Sequence, residues 1–378
     1  MTNELVKGFK EYTGEEAEKR QKIKGILAGT FKKYGFELAE TPILEYEEFV
    51  KGENERDEAI SDIFKLQDKG KRKLALRYEF TFQLKRLMKN RKLPYKRYQI
   101  GEIFRDEPTS AARFRQFTQC DVDIIGSTVK DEAELLALTD ESLKNLGIKP
   151  VILVNNRKLL NEILVSEKIR EKDREQVLRE IDKIGKLSEK EILQNLKKLK
   201  AENVYKALKK GEAYFKKFKS YEEVLELIKY AGYYGVKVLF SPTVIRGLSY
   251  YNGSVFEVKA EGIRETITAG GSYMFDGVQC TGISFGIERL LLLAKIKLEK
   301  KESLIVSLGQ DKEAIKLSQR LRDKGKNVLM FFGNPSKALN FANSKGIQEV
   351  IFVGKDEIKK GKYKVKEMKT GKESWGKI

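Results

Sequence analysis

Apolar and polar positions alternate with two different periods along the chain. Residues 98–105 (YQIGEIFR) and 114–125 (FRQFTQCDVDII) form strand-length runs, and Pro108, Thr109 and Ser110 supply a reversal between them. That pattern predicts a hairpin. Residues 15–34 instead space Ile23, Ile26, Leu27 and Phe31 along a helix rich in lysine and glutamate, with Gly35 set to end it. Residues 74–87 begin as strand and continue as helix, and 131–146 carry a second, leucine-rich helical pattern. Residues 244–258 read as an apolar and aromatic strand. Residues 267–293 read as a Gly-Gly turn, then a glycine-spaced strand running into an apolar helix. Between these, 167–230 is nearly continuous charged helix, which predicts an insertion module. A charged linker, 295–302, precedes a strand, helix, strand, helix, strand alternation (SLIVSLG, EAIKLSQRLRDKG, NVLMFF, SKALNFANSKG, EVIFVG) that predicts a small α/β domain.

Composition narrows the function. A chain of 378 residues exceeds one ordinary domain. Its 75 Lys and Arg against 56 Asp and Glu leave a net charge of +19. A Lys- and Glu-rich proteome explains the charge density, but the surplus of base favours a polyanionic partner such as RNA. Within the basic stretch 193–220, nine lysines stand among Tyr205, Tyr214, Phe215 and Phe218; a solvated helix face and an RNA-contacting surface fit it equally. No apolar run reaches the ~20 residues that span a bilayer, and residues 1–10 lack a signal peptide's apolar core. Cys120 and Cys280 are too few for a disulfide framework or a cysteine zinc cage. A cytoplasmic location is therefore expected. The chain has no histidine, which excludes mechanisms that need a protein imidazole. Nucleotidyl transfer survives that exclusion, because it runs on positioning and on charge stabilisation by arginine and Mg²⁺.

The candidate chemistry sits in three segments. Arg105 and Arg113 flank the predicted turn, where guanidinium forks can hold phosphate or carboxylate, and Phe117 offers a face for a stacked base. Arg246 lies in an apolar stretch, where an unpaired charge is costly. Glu288 and Arg289 open the apolar helix.

Together these segments resemble class II aminoacyl-tRNA synthetases, and specifically the histidyl-tRNA synthetase family. FRDE followed by RFRQF resembles the second class signature, GISFGIERL the third, and FKKYGFELAETPILE, with Pro42, the first. RGLSYYNGSVFE, AGGSY and LRYEFT resemble segments particular to the histidine enzyme. The resemblance implies an α+β fold: a six-stranded antiparallel sheet flanked by helices, a helical insertion and a C-terminal α/β domain like the family's anticodon-binding domain. Expected boundaries are a catalytic domain at 1–300, interrupted at 165–232, and the C-terminal domain at 303–378, which stops before the usual last helix.

It also implies activation of histidine with ATP and Mg²⁺, transfer to histidine tRNA, and a homodimer formed through the segment around Pro42. Arg105 and Arg246 are the catalytic candidates. Arg105, Glu107, Arg113, Phe117 and Arg289 are expected around ATP, and Glu79, Thr81, Gln119, Asp123, Arg246, Tyr251 and Tyr273 around histidine; no metal-ligating residue is assigned. Tyr250 is expected mainly to pack. Ser249 and Ser272 stand where the family usually has an aspartate and an arginine, on what would be the pocket floor. Thr109, Ser110, Ala111 and Ala112 replace larger polar residues at the hairpin tip. The alternative is a paralogue that charges no tRNA, such as the histidine-sensing regulatory subunit of ATP phosphoribosyltransferase.

Overall fold

The structure, a computed structural model, describes residues 3–52, 61–110, 113–185, 187–246, 250–263, 265–298 and 302–377. Helix α1 (Gly14–Lys33) has Glu15 and Glu16 in its first turn and Lys32 and Lys33 in its last, each sign at the favourable end of the helix dipole. It buries Ile23, Leu27 and Phe31, the positions its period picked out. Strand β1 (Glu37–Leu38) follows, then a small sheet of β2 (Leu44–Tyr46), β3 (Lys65–Gln67) and β4 (Lys73–Leu76), with α2 (Glu47–Lys51) after β2. Helix α3 (Leu84–Leu87) leads into the anticipated hairpin, β5 (Tyr95–Phe104) and β6 (Gln116–Ile125). Its register runs from Tyr95 opposite Ile125 to Phe104 opposite Gln116. Helix α4 (Val129–Asn145) starts where Asp131 accepts the Thr128 backbone N–H at 2.8 Å, and β7 (Pro150–Asn156) follows.

The charged stretch differs from expectation. After α5 (Arg157–Ser166), among the described residues it is a series of short helices: α6 (Glu171–Ile181), α7 (Glu189–Lys198), α8 (Glu202–Leu208), α9 (Glu212–Phe215) and α10 (Tyr221–Tyr233). One break holds Gly185 at positive φ, and two others fall at Lys168 and Lys200, which hold positive φ of 58° and 54°. Lysine is no turn signal, so these two reversals are invisible to pattern.

The chain then forms β8 (Val238–Phe240), β9 (Tyr251–Ala260), β10 (Thr266–Phe275), β11 (Val278–Gly286) and α11 (Ile287–Leu293). Two expectations change. Arg246 precedes β9 instead of lying within it, and Gly270 and Gly271 sit inside β10. The reversal comes at Asp276 and Gly277, with φ of 47° and 74°.

Among the described strands the main sheet runs β1-β5-β6-β11-β10-β9-β7-β8. The central six, β5 to β7 in that order, are antiparallel, as expected. Beyond the expectation, β1 extends one edge and β8 the other, each parallel to its neighbour. One face carries α1, α4 and α11 over a core that includes Tyr98, Val122, Ile124, Val258 and Phe285. The other face holds the site.

Met1–Ile296 and Lys297–Ile378 are separate compact units. In the second, β12 (Glu302–Ser307), α12 (Asp311–Asp323), β13 (Asn327–Phe332), α13 (Pro335–Lys345) and β14 (Glu349–Val353) give the predicted alternation, with parallel strands ordered β13-β12-β14. The chain continues through α14 (Lys355–Lys359) into an antiparallel hairpin, β15 (Lys362–Glu367) and β16 (Glu373–Lys377), which extends the sheet beyond β14. This hairpin was not anticipated. Its strands are mostly lysine, glutamate and glycine, with Tyr363 and Val365 as the apolar positions packed inward.

Candidate active site

Strand alternation assigns the two faces of β6. Cys120, Val122 and Ile124 join the helix-covered core, which leaves Phe117, Gln119, Asp121 and Asp123 on the other side. Opposite them on β5 stand Ile103, Gly101, Gln99 and Arg97, and on β11 Gly286, Ser284 and Gly282 oppose Gln119, Asp121 and Asp123. A cavity of about 570 Å³ opens over this surface. Ten of the twelve site residues expected from sequence line it: Glu79, Thr81, Arg105, Glu107, Arg113, Phe117, Gln119, Arg246, Tyr251 and Arg289.

One end is cationic. Arg105 Nε donates to the Tyr78 carbonyl at 3.1 Å, and its guanidinium lies 5.4 Å from the centre of the Phe117 ring. Glu107 stands between two arginines, 3.8 Å from Arg105 and 3.7 Å from Arg113. Arg246 Nη2 donates to Thr266 Oγ1 at 2.8 Å and faces Glu257 at 3.5 Å, while its buried Nε has no hydrogen-bond partner. Arg289 donates to the Thr266 carbonyl. Burial first, then the charges of Arg246 and Arg113, hold the Arg289 guanidinium below its ordinary pKa. Three cations that repel one another around open space form a cradle for a polyanion.

Glu288 has a different task. It accepts from Arg20 at 2.6 Å and from the Thr118 backbone N–H at 3.1 Å, which fastens α11 to β6 and α1. Among the described residues there is no group of three or more His, Cys, Asp or Glu able to hold a metal ion. Glu107 is a carboxylate of the lining at the arginine end, and Mg²⁺ fits such a site when substrate phosphates supply most of its ligands.

The floor is tightly buried. Asp123 Oδ1 accepts from the Tyr273 hydroxyl at 2.6 Å, and Asp123 pairs with the wholly buried Arg97 at 2.8 Å. Neither Asp123 nor Tyr273 is among the lining side chains; both lie one layer beneath. Glycines make that layering possible: a methyl on Gly282 would stand 2.2 Å from Asp123 Oδ1, and one on Gly271 would stand 2.6 Å from the Ser254 carbonyl. Burial, then Asp123, raises the Tyr251 and Tyr273 phenols.

Sequence reasoning missed three residues here. Tyr250, expected to pack, does stack on Tyr273 with ring centres 4.7 Å apart, but it also lines the cavity. Asp121 lines it too, and its carboxyl is pushed up to about 6 by burial and by Asp123. Arg97 lies just before the run taken as the first strand. The signal that finds Arg97 and Asp121 is the β5–β6 register, which requires the pairing to be known.

Ser272 is a correction. It is not on the pocket floor: its hydroxyl donates to Glu132 of α4, on the opposite face of the sheet from Tyr273. Period 2 along β10 separates the neighbours. Ser249, Ala111 and Ala112 lie outside the described residues.

The geometry can be set beside known proteins. A family model described as histidyl-tRNA synthetase matches residues 8–290, and one described as an anticodon binding domain matches 302–377. Histidine–tRNA ligase 1 of Bacillus cereus is 35% identical, covering 97% of this chain and 96% of its own length. Histidine–tRNA ligase of Wolinella succinogenes is 31% identical, covering 98% and 95%. The solved histidyl-tRNA synthetase of a Nostoc species superposes with a TM-score of 0.87 at 25% identity, over 100% of this chain and 97% of that one. An ATP phosphoribosyltransferase regulatory subunit/histidyl-tRNA synthetase from Bacillus halodurans shares the fold, with a TM-score of 0.80 at 22% identity over 93% and 98%.

Proposed function

The chain belongs to the histidyl-tRNA synthetase family of ligases, and we propose that it activates histidine with ATP and transfers it to the 3′ end of histidine tRNA. The observation that carries this reading is the cradle of Arg246, Arg113 and Arg289, with Arg105 beside it, at one end of a cavity whose other end is a polar, aromatic pocket.

In this mechanism the histidine carboxylate attacks the α-phosphate of ATP in line, and pyrophosphate leaves. Arg105 bridges carboxylate and α-phosphate, holding both in attack geometry. Arg246, with its unpartnered Nε, stabilises the charge that develops on the other side. Arg113 and Arg289 hold the γ-phosphate end, Phe117 stacks on adenine, and Glu107 contacts the adenine amino group or a water on Mg²⁺. Mg²⁺ bound with the phosphates would supply positive charge to offset the negative charge of departing pyrophosphate. Glu79 and Thr81 take the α-ammonium, Gln119 and Tyr251 line the imidazole pocket, and Asp123 and Tyr273 support it from beneath.

Several features support the wider assignment. Lys209, Lys210 and Lys217 are exposed over Tyr205 and Tyr214, which pack into the core, a basic surface suited to the tRNA acceptor arm. Around Pro42, Leu38, Ile43, Leu44, Tyr46 and Leu66 are all exposed, an apolar surface suited to a second copy of the chain. Cys120 and Cys280 are both buried and free, and among the described residues no helix is long and apolar enough to cross a membrane; we assign the protein to the cytoplasm on this basis.

Histidine-dependent exchange of pyrophosphate into ATP tests activation, and charging of a histidine tRNA transcript tests transfer. Exchange with another amino acid instead would overturn the reading. Histidine binding without exchange would favour the non-charging paralogue, against which the retained arginines and C-terminal domain argue.

A further inference from the structure

Residues 3–13 precede α1 and form no helix or strand of their own, yet they grip the base of the β5–β6 hairpin. The reason lies in the register. Strand β11 ends at Gly286, opposite Gln119, so the first residues of β6 run past that partner and leave N–H groups on its side without a ladder. The Glu288 carboxylate takes the Thr118 N–H at 3.1 Å. Two residues earlier, the Gly8 carbonyl takes the Gln116 N–H at 3.3 Å and the Arg115 N–H at 2.8 Å. Two aromatic contacts complete the grip. Phe9 packs on Phe64 and Phe104, with ring centres 6.1 and 6.5 Å away. The Tyr12 ring centre lies 3.7 Å from the guanidinium of Arg20, which is itself bound to Glu288 at 2.6 Å.

We propose that residues 6–12 are a strap that sets the position of the hairpin over the ATP end of the cavity, with Gly8 as its positioning residue and Arg115 as the contact through which it acts. This rests on the reading of that end as an ATP site. Arg115 touches each residue of the run that carries the ATP groups. Its carbonyl accepts the Arg105 N–H at 2.8 Å, its Nη2 pairs with Asp106 at 3.1 Å, and its Nε donates to the Glu107 carbonyl at 3.2 Å. Whatever fixes Arg115 therefore fixes Arg105 and Glu107. Gly8 is what lets the strap come so close. It holds a positive φ of 87°, and a methyl there would stand 2.7 Å from Arg115 Cγ and 2.8 Å from Thr109 Cγ2. The histidine end is held by other means: Glu79 and Thr81 precede α3, Tyr251 opens β9, and Gln119 lies between Gly101 of β5 and Gly286 of β11. A displaced strap is thus felt by ATP and not by histidine.

The test uses the full chain in histidine-dependent pyrophosphate exchange, with the Kd for ATP of the same proteins measured by titration calorimetry. Gly8→Ala should lower kcat/KM for ATP on the order of 10²-fold, the cost of displacing a positioned group by ~1 Å. Its Kd for ATP should rise, and its KM for histidine should hold. Gly25→Ala, in α1 with nothing within 4 Å of the added methyl, should match the wild type. Arg115→Ala leaves the strap's backbone alone and should give the same ATP-selective loss, so it carries the test if Gly8→Ala does not fold. Because Arg115→Ala also removes the Cγ that the Gly8→Ala methyl strikes, the double variant should be no worse than Arg115→Ala alone. Unchanged ATP constants in both single variants, equal rises of the KM for ATP and for histidine, or additive losses in the double variant overturn the strap. A wild type that binds ATP but exchanges nothing overturns the proposed activity, and the Kd series then decides the strap by itself. A wild type that binds no ATP overturns both.

Discussion

At the arginine end of the cavity the side chains of Arg113 and Arg246 remain 68% and 33% exposed, whereas on the floor that of Arg97 is 0% exposed. The two ends hold charge by opposite means. Near water a cation without a partner costs little, so the open end can keep several unmatched until a polyanion arrives. On the floor an unmatched ion costs several kcal/mol, so Arg97 is paired with Asp123 inside the protein and the Asp121 carboxyl is pushed up. One end is thus electrostatically unfinished and the other finished. Substrate charge should matter at the first, and hydrogen-bond shape at the second.

The largest effect expected from breaking this contrast lies at the open end. Arg246→Ala and Arg105→Ala should each lower histidine-dependent exchange on the order of 10² to 10³-fold, the loss of one preorganised donor. Thermal unfolding should shift little, because neither guanidinium is fully buried. A large drop in melting temperature with modest loss of rate would show that these arginines serve the fold.

The next effect lies at the finished end and concerns space. Gly282→Ala puts a methyl 2.2 Å from Asp123 Oδ1 and 3.2 Å from the Val122 carbonyl. It should destabilise the protein by about 1 to 3 kcal/mol through overpacking. Gly286→Ala, on the same strand, meets nothing within 4 Å and should be nearly neutral. Denaturant unfolding of the pair reads the difference; equal stabilities would mean that the floor yields.

The same contrast explains what the sequence could disclose. Arg105, Arg113 and Arg289 were legible because each sits in a local motif at a strand or helix end, where neighbours along the chain define its role. The floor is set by neighbours across strands. Asp121 and Asp123 share a face by alternation alone, and only the register, Ser284 against one and Gly282 against the other, tells which is covered. Arg97 was missed because β5 begins at Tyr95, three residues before its apolar pattern becomes clear. Ser272 was put on the wrong face because a family motif gives order along the chain and not side of the sheet. Two of the breaks in the insertion module fall on lysines, Lys168 and Lys200, which signal no turn. The six antiparallel strands were legible; the edge strands β1 and β8, Glu37–Leu38 and Val238–Phe240, are too short to show a period.

A third effect is a pH dependence of stability centred on Asp121. Its carboxyl is raised from 3.8 to about 6 in the folded state, by burial first and Asp123 second. Well below pH 3.8 the group is protonated whether folded or not and exacts no penalty. As pH rises toward 6 the unfolded chain ionises first, so wild-type stability is lost across that window. Asp121→Asn removes the loss. Its stability relative to wild type should therefore grow between pH 4 and pH 7, by about 1 to 3 kcal/mol given ~1.4 kcal/mol per unit. Parallel stability curves for the two proteins would mean that Asp121 ionises normally.

The smallest effect sharpens the comparison most directly, because it needs no mutation. Raising salt from about 0.1 M to 1 M shortens the Debye length from ~10 Å to ~3 Å. Exposed charges are screened by that change and buried ones scarcely at all. At the open end, Arg113 and Glu107 stand 3.7 Å apart with the arginine largely in solvent, and the attraction of the cradle for ATP acts partly through water. The KM for ATP should rise several-fold. At the floor the Arg97 and Asp123 pair is sealed, and Tyr273 donates to Asp123 out of water's reach. The KM for histidine, measured at saturating ATP in the same buffers, should stay within about twofold. Equal salt sensitivity of the two constants would mean that the floor opens to solvent in the working enzyme, and that its charges are as exposed in turnover as those of the cradle.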